Sequence, residues 1–299
     1  MRCSQIDYKK RVFRAMNFIS RNIERDLSLE EVAKAASFSM FHFHRIFKAV
    51  AGETVAGFTR RLRLELAVNR LLSRQLDDIT TIAMDCGFSS SQNFAKAFRQ
   101  HFGMTPTEYR KGKIGTGNSK NGNAPFHQTL YNSDSESAVN AEVREMPEYN
   151  VAYVRKVGPY VRETCEPAFA ELLQWAGPRN YLGPGKMFAI YWDNPDVTPP
   201  EKCRFNTCII VPEGIVPEGH VFTQTISGGP YAVCHFEIKP DSIQQAWEDA
   251  FVWICGSGYE CNDTPCYEIY HNNAAEHPEG KWILDICIPL KHKILRRKK

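Results

Sequence analysis

The 299-residue sequence predicts two domains: an all-α N-terminal domain built from two helix-turn-helix units, and an α+β C-terminal domain built from two pseudo-symmetric βαββ repeats. Three observations predict this. Between Leu27 and Tyr109 one pattern is written twice. Leu29-x-x-Val32-Ala33, Ser37-Phe38-Ser39, Phe43-x-Arg45-x-Phe47-Lys48 and Gly52-x-Thr54 return as Ile79-x-x-Ile82-Ala83, Gly87-Phe88-Ser89, Phe94-x-Lys96-x-Phe98-Arg99 and Gly103-x-Thr105. A second duplication lies in residues 142–291, where 188–194 (FAIYWDN) match 267–273 (YEIYHNN) at an offset of 79. Charge divides along the same line: up to Lys113 there are 20 Lys+Arg against 11 Asp+Glu, and from Ile114 on there are 17 against 23.

Each element follows from local patterning. Residues 6–24 read as an amphipathic helix with Val12, Ala15, Met16, Ile19 and Ile23 on one face. Ser28 then opens the first repeat, with Glu31 at the capping-box position. In each copy the first helix buries Val32-Ala33 or Ile82-Ala83, and the turn ends in a serine (Ser39, Ser89) able to cap the next helix. That second helix turns Phe43, Ile46, Phe47 and Val50, or Phe94, Ala97, Phe98 and Phe102, inward and leaves its other face polar. The offset grows from 50 at Phe38/Phe88 to 51 at Phe43/Phe94, so the second turn holds one extra residue. Residues 55–75 read as one long helix that fixes the distance between the two units. Two reading helices in one polypeptide can enter successive major grooves about 34 Å apart, so a monomer can do what otherwise needs a dimer.

From Gly112 to Ala141 the composition turns to Gly, Ser, Asn and Asp, a flexible linker between a first domain at 1–111 and a second at 142–291, with a basic tail at 292–299. Each half of the second domain reads as a strand (151–157, 232–238), a helix (163–176, 242–255) and a hairpin, with Tyr149 matched to Tyr231 at an offset of 82. Paired, the halves make one antiparallel sheet backed by two helices, with a concave groove at the junction where ligands commonly bind.

The basic half is the half with the repeated helices, a coincidence that fits phosphate binding; basic residues that merely solvate the helices are the rival reading. The ten cysteines form no C-x-x-C pair and no Cys/His cluster at zinc spacing, so they read as buried reduced thiols, and neither a metal nor a cofactor is expected. With no signal peptide and no apolar run near twenty residues, the expectation is a cytoplasmic protein with no membrane partner.

The N-terminal third resembles the AraC/XylS family of transcription regulators, and the arrangement is similar to Rob-type members, whose DNA-binding domain comes first. The likeness rests on Leu29-Glu30-Glu31-Val32-Ala33, on Phe43 to Lys48, and most specifically on Gly87 to Arg99 followed by Gly103 to Arg110. It implies double-stranded DNA as partner, with RNA polymerase as a second one. Base-reading positions implied by the resemblance are Phe41, His44 and Arg45 in the first unit and Ser91, Gln92, Asn93 and Lys96 in the second. Their types suit base readout, since Arg pairs with guanine O6/N7, Gln or Asn with adenine, and Phe lies on a thymine methyl. Phosphate contact is the rival reading for each. Family members often carry Trp at the Phe41 position and Arg at the Lys96 position, so the resemblance leaves this chain's base preference open.

The C-terminal half, through its duplication, the Val157-Gly158-Pro159-Tyr160 loop and the Tyr267 to Tyr270 strand, resembles the GyrI-like small-molecule-binding domain. Strand alternation picks out one set of side chains independently: Glu268 and Tyr270 share a face, as do Ala189 and Tyr191 on the equivalent strand. A carboxylate ringed by aromatics suits a hydrophobic cation, and the resemblance implies an acidic residue here. A plain surface or salt-bridged glutamate is the alternative, and Trp192, Trp247 and Trp253 read as core.

The expected function is a sequence-specific DNA-binding transcription regulator, an activator, with an amphipathic or cationic effector bound at Glu268, Tyr270, Tyr191 and Ala189. No catalytic triad or phosphate loop is evident, so no enzyme is expected. The rival reading makes the C-terminal domain a hydrolase using Glu268 or a protein-interaction platform.

Overall fold

The computed structural model describes residues 3–74, 76–112, 139–195, 197–262 and 264–291; the expected basic tail and residues 113–138 of the expected linker lie outside them. Two compact units result, one from the described residues of Met1–Ala124 and Asp193–Lys202, the other from those of Pro125–Trp192 and Cys203–Lys299.

The first unit is helical: α1 (Cys3–Arg21), α2 (Leu29–Ala35), α3 (Met40–Ala51), α4 (Val55–Ser73), α5 (Ile79–Asp85), α6 (Ser91–Phe102) and α7 (Pro106–Gly112). The expected helix over 6–24 ends three residues early. The Asn22 N–H bonds to the Ile19 carbonyl and the Arg25 N–H to the Asn22 carbonyl, so Ile23 lies in the turn beyond α1. Ser28 and Glu31 form the expected capping box, the Glu31 N–H donating to Ser28 Oγ at 3.1 Å and the Ser28 N–H to Glu31 Oε2 at 2.9 Å, worth about 1 kcal/mol.

The two turns differ where the offset changes. Ser37 (φ 56°) and Gly87 (φ 79°) hold the same left-handed position. At Gly87 a Cβ would come within 2.8 Å of the Ile23 and Glu24 carbonyls, so only glycine fits. The extra residue then moves the cap of α6 from Ser89 to Ser90, whose Oγ accepts from the Asn93 N–H at 3.1 Å; Ser89 Oγ instead accepts from the Asn93 side-chain amide at 2.8 Å. Ser39, which begins α3, makes no such bond.

Helix α4 joins the two helix pairs. Its Phe58 meets Phe47 of α3 edge-on at 5.7 Å, and its Leu64, Ala67, Val68 and Leu71 pack with Ile82, Phe88, Phe94 and Phe98. Burying these side chains stabilises the unit, each large one contributing roughly 1.5–3 kcal/mol. Within the same unit Arg61 is buried, with its guanidinium bonded to Glu53, Glu65, Asp193 and Thr198. The sequence shows α4 as arginine-rich; the buried ion network is a tertiary fact.

The second unit is an eight-stranded antiparallel sheet in the order β1-β6-β8-β7-β3-β4-β2-β5. Its strands are β1 (Asn140–Met146), β2 (Tyr149–Val157), β3 (Met187–Tyr191), β4 (Arg204–Ile210), β5 (Phe222–Ile226), β6 (Gly229–Ile238), β7 (Tyr267–Tyr270) and β8 (Trp282–Pro289), with helices α8 (Arg162–Ala176) and α9 (Ile243–Ser257). The expected βαββ repeats are present, and each gains a strand in front, β1 or β5. These two are the sheet edges, and each pairs with the other repeat, β1 on β6 and β5 on β2. Local patterning does not reveal such exchanged strands, and β1 carries exposed Glu142, Arg144 and Glu145, charges that protect an edge from further pairing.

The ladders also correct one alignment. Val151 pairs with Ile210 and Tyr231 with Pro289, so Val151, and not Tyr149, is the counterpart of Tyr231, an offset of 80 and not 82. A shift by two keeps every side chain on its face, so alternation does not distinguish the two registers. Helix α8 packs on Ala152, Val154, Ala189, Phe205 and Ile209, and α9 on Ala232, Cys234, Leu284, Ile286 and Ile288, which leaves residues such as His235, His271 and Asp285 on the opposite face of the sheet.

Candidate functional site

In the first unit the exposed face of each second helix carries the candidate DNA contacts. His44 and Arg45 on α3 and Gln92, Asn93 and Lys96 on α6 are exposed, and Ser91 is half-buried. The side chain of Phe41 lies outside the described residues. The neighbours that position them are buried: Phe43 and Phe47 beneath α3, Phe94 and Phe98 beneath α6. Asn93 is already tied to the Ser89 hydroxyl, which holds its amide at the start of α6.

In the second unit the four residues picked from alternation come together at the centre of the sheet, where the repeats meet. Ala189 of β3 pairs directly with Glu268 of β7. The Tyr191 and Tyr270 hydroxyls donate to Glu268 Oε2 at 3.2 and 2.5 Å. Trp247 of α9, read from the sequence as core, is a fourth member: its Nε1–H donates to Glu268 Oε1 at 2.6 Å. The only signal for it was its place on the α9 face toward the sheet, which cannot tell a packed indole from a donor. Tyr160 and Trp247 stand edge-on to Tyr191 at 5.0 and 5.9 Å, and Phe169 of α8 meets Tyr270 at 5.8 Å.

Glu268 has no exposed surface, so in place of the expected open groove the carboxylate is closed beneath half-buried Tyr191, Tyr270 and Trp247. No basic side chain among the described residues pairs with it. Burial therefore pushes its pKa above the ordinary carboxylate range, although the bonds from Tyr270, Trp247 and Tyr191 pull the other way. Burial likewise raises both tyrosines well above their ordinary value, and Glu268 adds to the shift. The arrangement is a desolvated acid held by three neutral donors within a ring of π-faces. A cation brought there would supply the missing counter-charge, and stacking would hold its apolar part.

Of the nine cysteines whose side chains are described, five are buried, and burial raises Cys234 to about 12. No helix among the described residues is long and apolar enough to cross a membrane.

Comparison with known proteins divides the chain as its architecture does. Residues 140–291 match the GyrI-like small molecule binding domain, and residues 32–112 match a helix-turn-helix domain. A DNA gyrase inhibitor of Escherichia coli (strain K12) is 33% identical over 160 residues, covering 52% of this chain and 99% of that protein. Among solved structures, an AraC-type transcriptional regulator from Chromobacterium violaceum is 31% identical, covering 36% of this chain and 95% of that one, with a TM-score of 0.33. The C-terminal domain of AraT, a response regulator from Geobacillus stearothermophilus, is 29% identical, covering 38% of this chain and 91% of that one, with a TM-score of 0.33. The chain belongs to the GyrI-like small-molecule-binding family, and it is an AraC-type DNA-binding regulator that carries the GyrI-like domain behind its helix-turn-helix region.

Proposed function

We propose that this regulator is a transcription activator that reads two successive major grooves as a monomer, contacts RNA polymerase, and binds a lipophilic cation at Glu268. The observation that carries the effector assignment is the fully buried Glu268 carboxylate, held by Tyr191, Tyr270 and Trp247 without a basic partner among the described residues. For DNA reading, support comes from α3 and α6 presenting His44, Arg45, Gln92, Asn93 and Lys96 from one helical unit. Footprinting of the full chain on a selected site should protect about two turns at a protein-to-site ratio of one; protection of a single half-site, or dependence on dimerisation, contradicts the monomer reading. In transcription with purified RNA polymerase, a cationic dye that binds the domain should raise promoter output, and repression would overturn the activator assignment. Arg45→Ala should relax preference at particular base pairs and cost roughly 1–3 kcal/mol, whereas uniform weakening over all sequences makes Arg45 a phosphate contact.

A second reading is favoured by the relative named DNA gyrase inhibitor, which matches along 99% of its length. Here the C-terminal domain acts as a protein-binding platform. Inhibition of gyrase supercoiling by the full chain, unaffected by Glu268→Gln, would support it over the effector reading.

A further inference from the structure

We propose that the face of the sheet opposite Glu268 carries a binding site for a first-row divalent cation of the zinc type, held by His235, His271 and Asp285. The three come from adjacent strands. His235 of β6 stands directly across from Asp285 of β8, and His271 directly follows β7 on the other side of β8, with its N–H bonded to the Ile283 carbonyl. Asp285 bridges the two imidazoles: its Oδ1 lies 2.8 Å from His235 Nδ1 and its Oδ2 lies 2.9 Å from His271 Nε2. One ligand atom from each residue can be chosen so that all three lie within 4.8 Å of one another. Zinc bonds to imidazole and carboxylate are about 2.0–2.2 Å long, which places tetrahedral ligand atoms about 3.4 Å apart, so side-chain movements on the order of 1 Å complete the set.

Accessibility fits a cation that arrives from solvent and keeps open positions. The Asp285 side chain is 8% exposed, while those of His235 and His271 are 46% and 34% exposed. The three border a cavity of about 450 Å³ that also touches Asn140, Glu142 and Arg144 of β1. Arg144 adds a positive charge to that cavity, and its ion pair with Glu142 offsets it. Two neutral nitrogens and one carboxylate oxygen form a donor set that suits zinc, cobalt and nickel better than calcium or magnesium. The other repeat provides an internal control. At the corresponding positions it has Arg155, Asn206 and Trp192, with Arg155 Nε donating to Asn206 Oδ1 at 2.7 Å. A guanidinium there supplies a permanent cation and no ligand, so only one repeat is built to take a metal.

The test uses the full chain, stripped with a chelator, then titrated with Zn²⁺ by calorimetry and with Co²⁺ by absorption spectroscopy. One equivalent of Co²⁺ should bind, with visible d–d bands and no near-ultraviolet thiolate-to-cobalt band. Asp285→Asn and His271→Gln should each weaken Zn²⁺ binding tenfold or more. His235→Gln, at the most exposed of the three positions, should do the same in a chain whose melting curve matches the parent, which keeps the test decisive if a change at the buried Asp285 disturbs folding. Absence of stoichiometric binding, a thiolate charge-transfer band, or unchanged affinity in the folded His235 and His271 variants would overturn the site.

Discussion

The two repeats of the C-terminal domain share a framework and differ in their chemistry. Ala168 and Ala246 pack their helices on the sheet, Tyr191 and Tyr270 occupy matching strand positions, and Cys208 and Cys287 are both buried. Where Ala189 stands in the first repeat, Glu268 stands in the second, directly across the central strand pair. Where Phe169 faces the sheet from α8, Trp247 faces it from α9 and supplies an N–H to that carboxylate. On the opposite face, Arg155, Asn206 and Trp192 give way to His235, Asp285 and His271. The difference teaches how a duplicated fold sets two chemistries on one framework. The first repeat keeps the small Ala189 and the fixed charge of Arg155, and the second places the titratable Glu268 and His235 at the matching positions.

Making the repeats alike at the junction should have the largest effect. Ala189→Glu sets a second carboxylate against Glu268 in a site without solvent, and the buried, unpaired charge should cost about 3–5 kcal/mol in urea unfolding. A cost below about 1 kcal/mol would mean that the junction is wetter than its burial indicates. Trp247→Phe gives the second repeat the aromatic residue of the first. It removes one donor to a buried acid, worth about 1–3 kcal/mol, and should move the apparent pKa of Glu268 further upward, read from the pH dependence of dye affinity.

The smallest change in stability is expected from Glu268→Gln, and its sign follows from the raised pKa. A carboxyl whose pKa is higher folded than unfolded contributes stability that is fully present below its unfolded value and lost as pH rises through its folded value. The parent should therefore melt like the variant at acid pH and fall behind it as pH rises above the ordinary carboxylate range. A parent that gains on the variant over that range would show Glu268 to be a stabilising, paired carboxylate.

Much of this was legible from residue spacing, and the illegible parts have physical causes. The helix-turn-helix units showed because a 3.6-residue period and a left-handed glycine leave a local signature, as at Phe94, Phe98 and Gly87. Glu268, Tyr270, Tyr191 and Ala189 showed because strand alternation assigns faces without knowledge of partners. The edge strands did not, since β1 is polar and pairs with the other repeat. The hydrogen bond from Trp247 did not, because it depends on how α9 lies on the sheet. His235, His271 and Asp285 have no sequence spacing in common; the ladder β6-β8-β7 alone makes them neighbours.

Effector binding at this junction stands or falls on whether a cation needs the charge at Glu268. A lipophilic cationic dye and a neutral dye of matching shape should be titrated into the full chain and its Glu268→Gln variant by calorimetry, in two buffers of different ionisation enthalpy. The variant should bind the cation at least tenfold more weakly and bind the neutral dye unchanged. The parent should also release protons on cation binding over the pH range in which the raised carboxyl is still protonated. Equal affinity of parent and variant for the cation, with no proton release, would contradict a charge-dependent site.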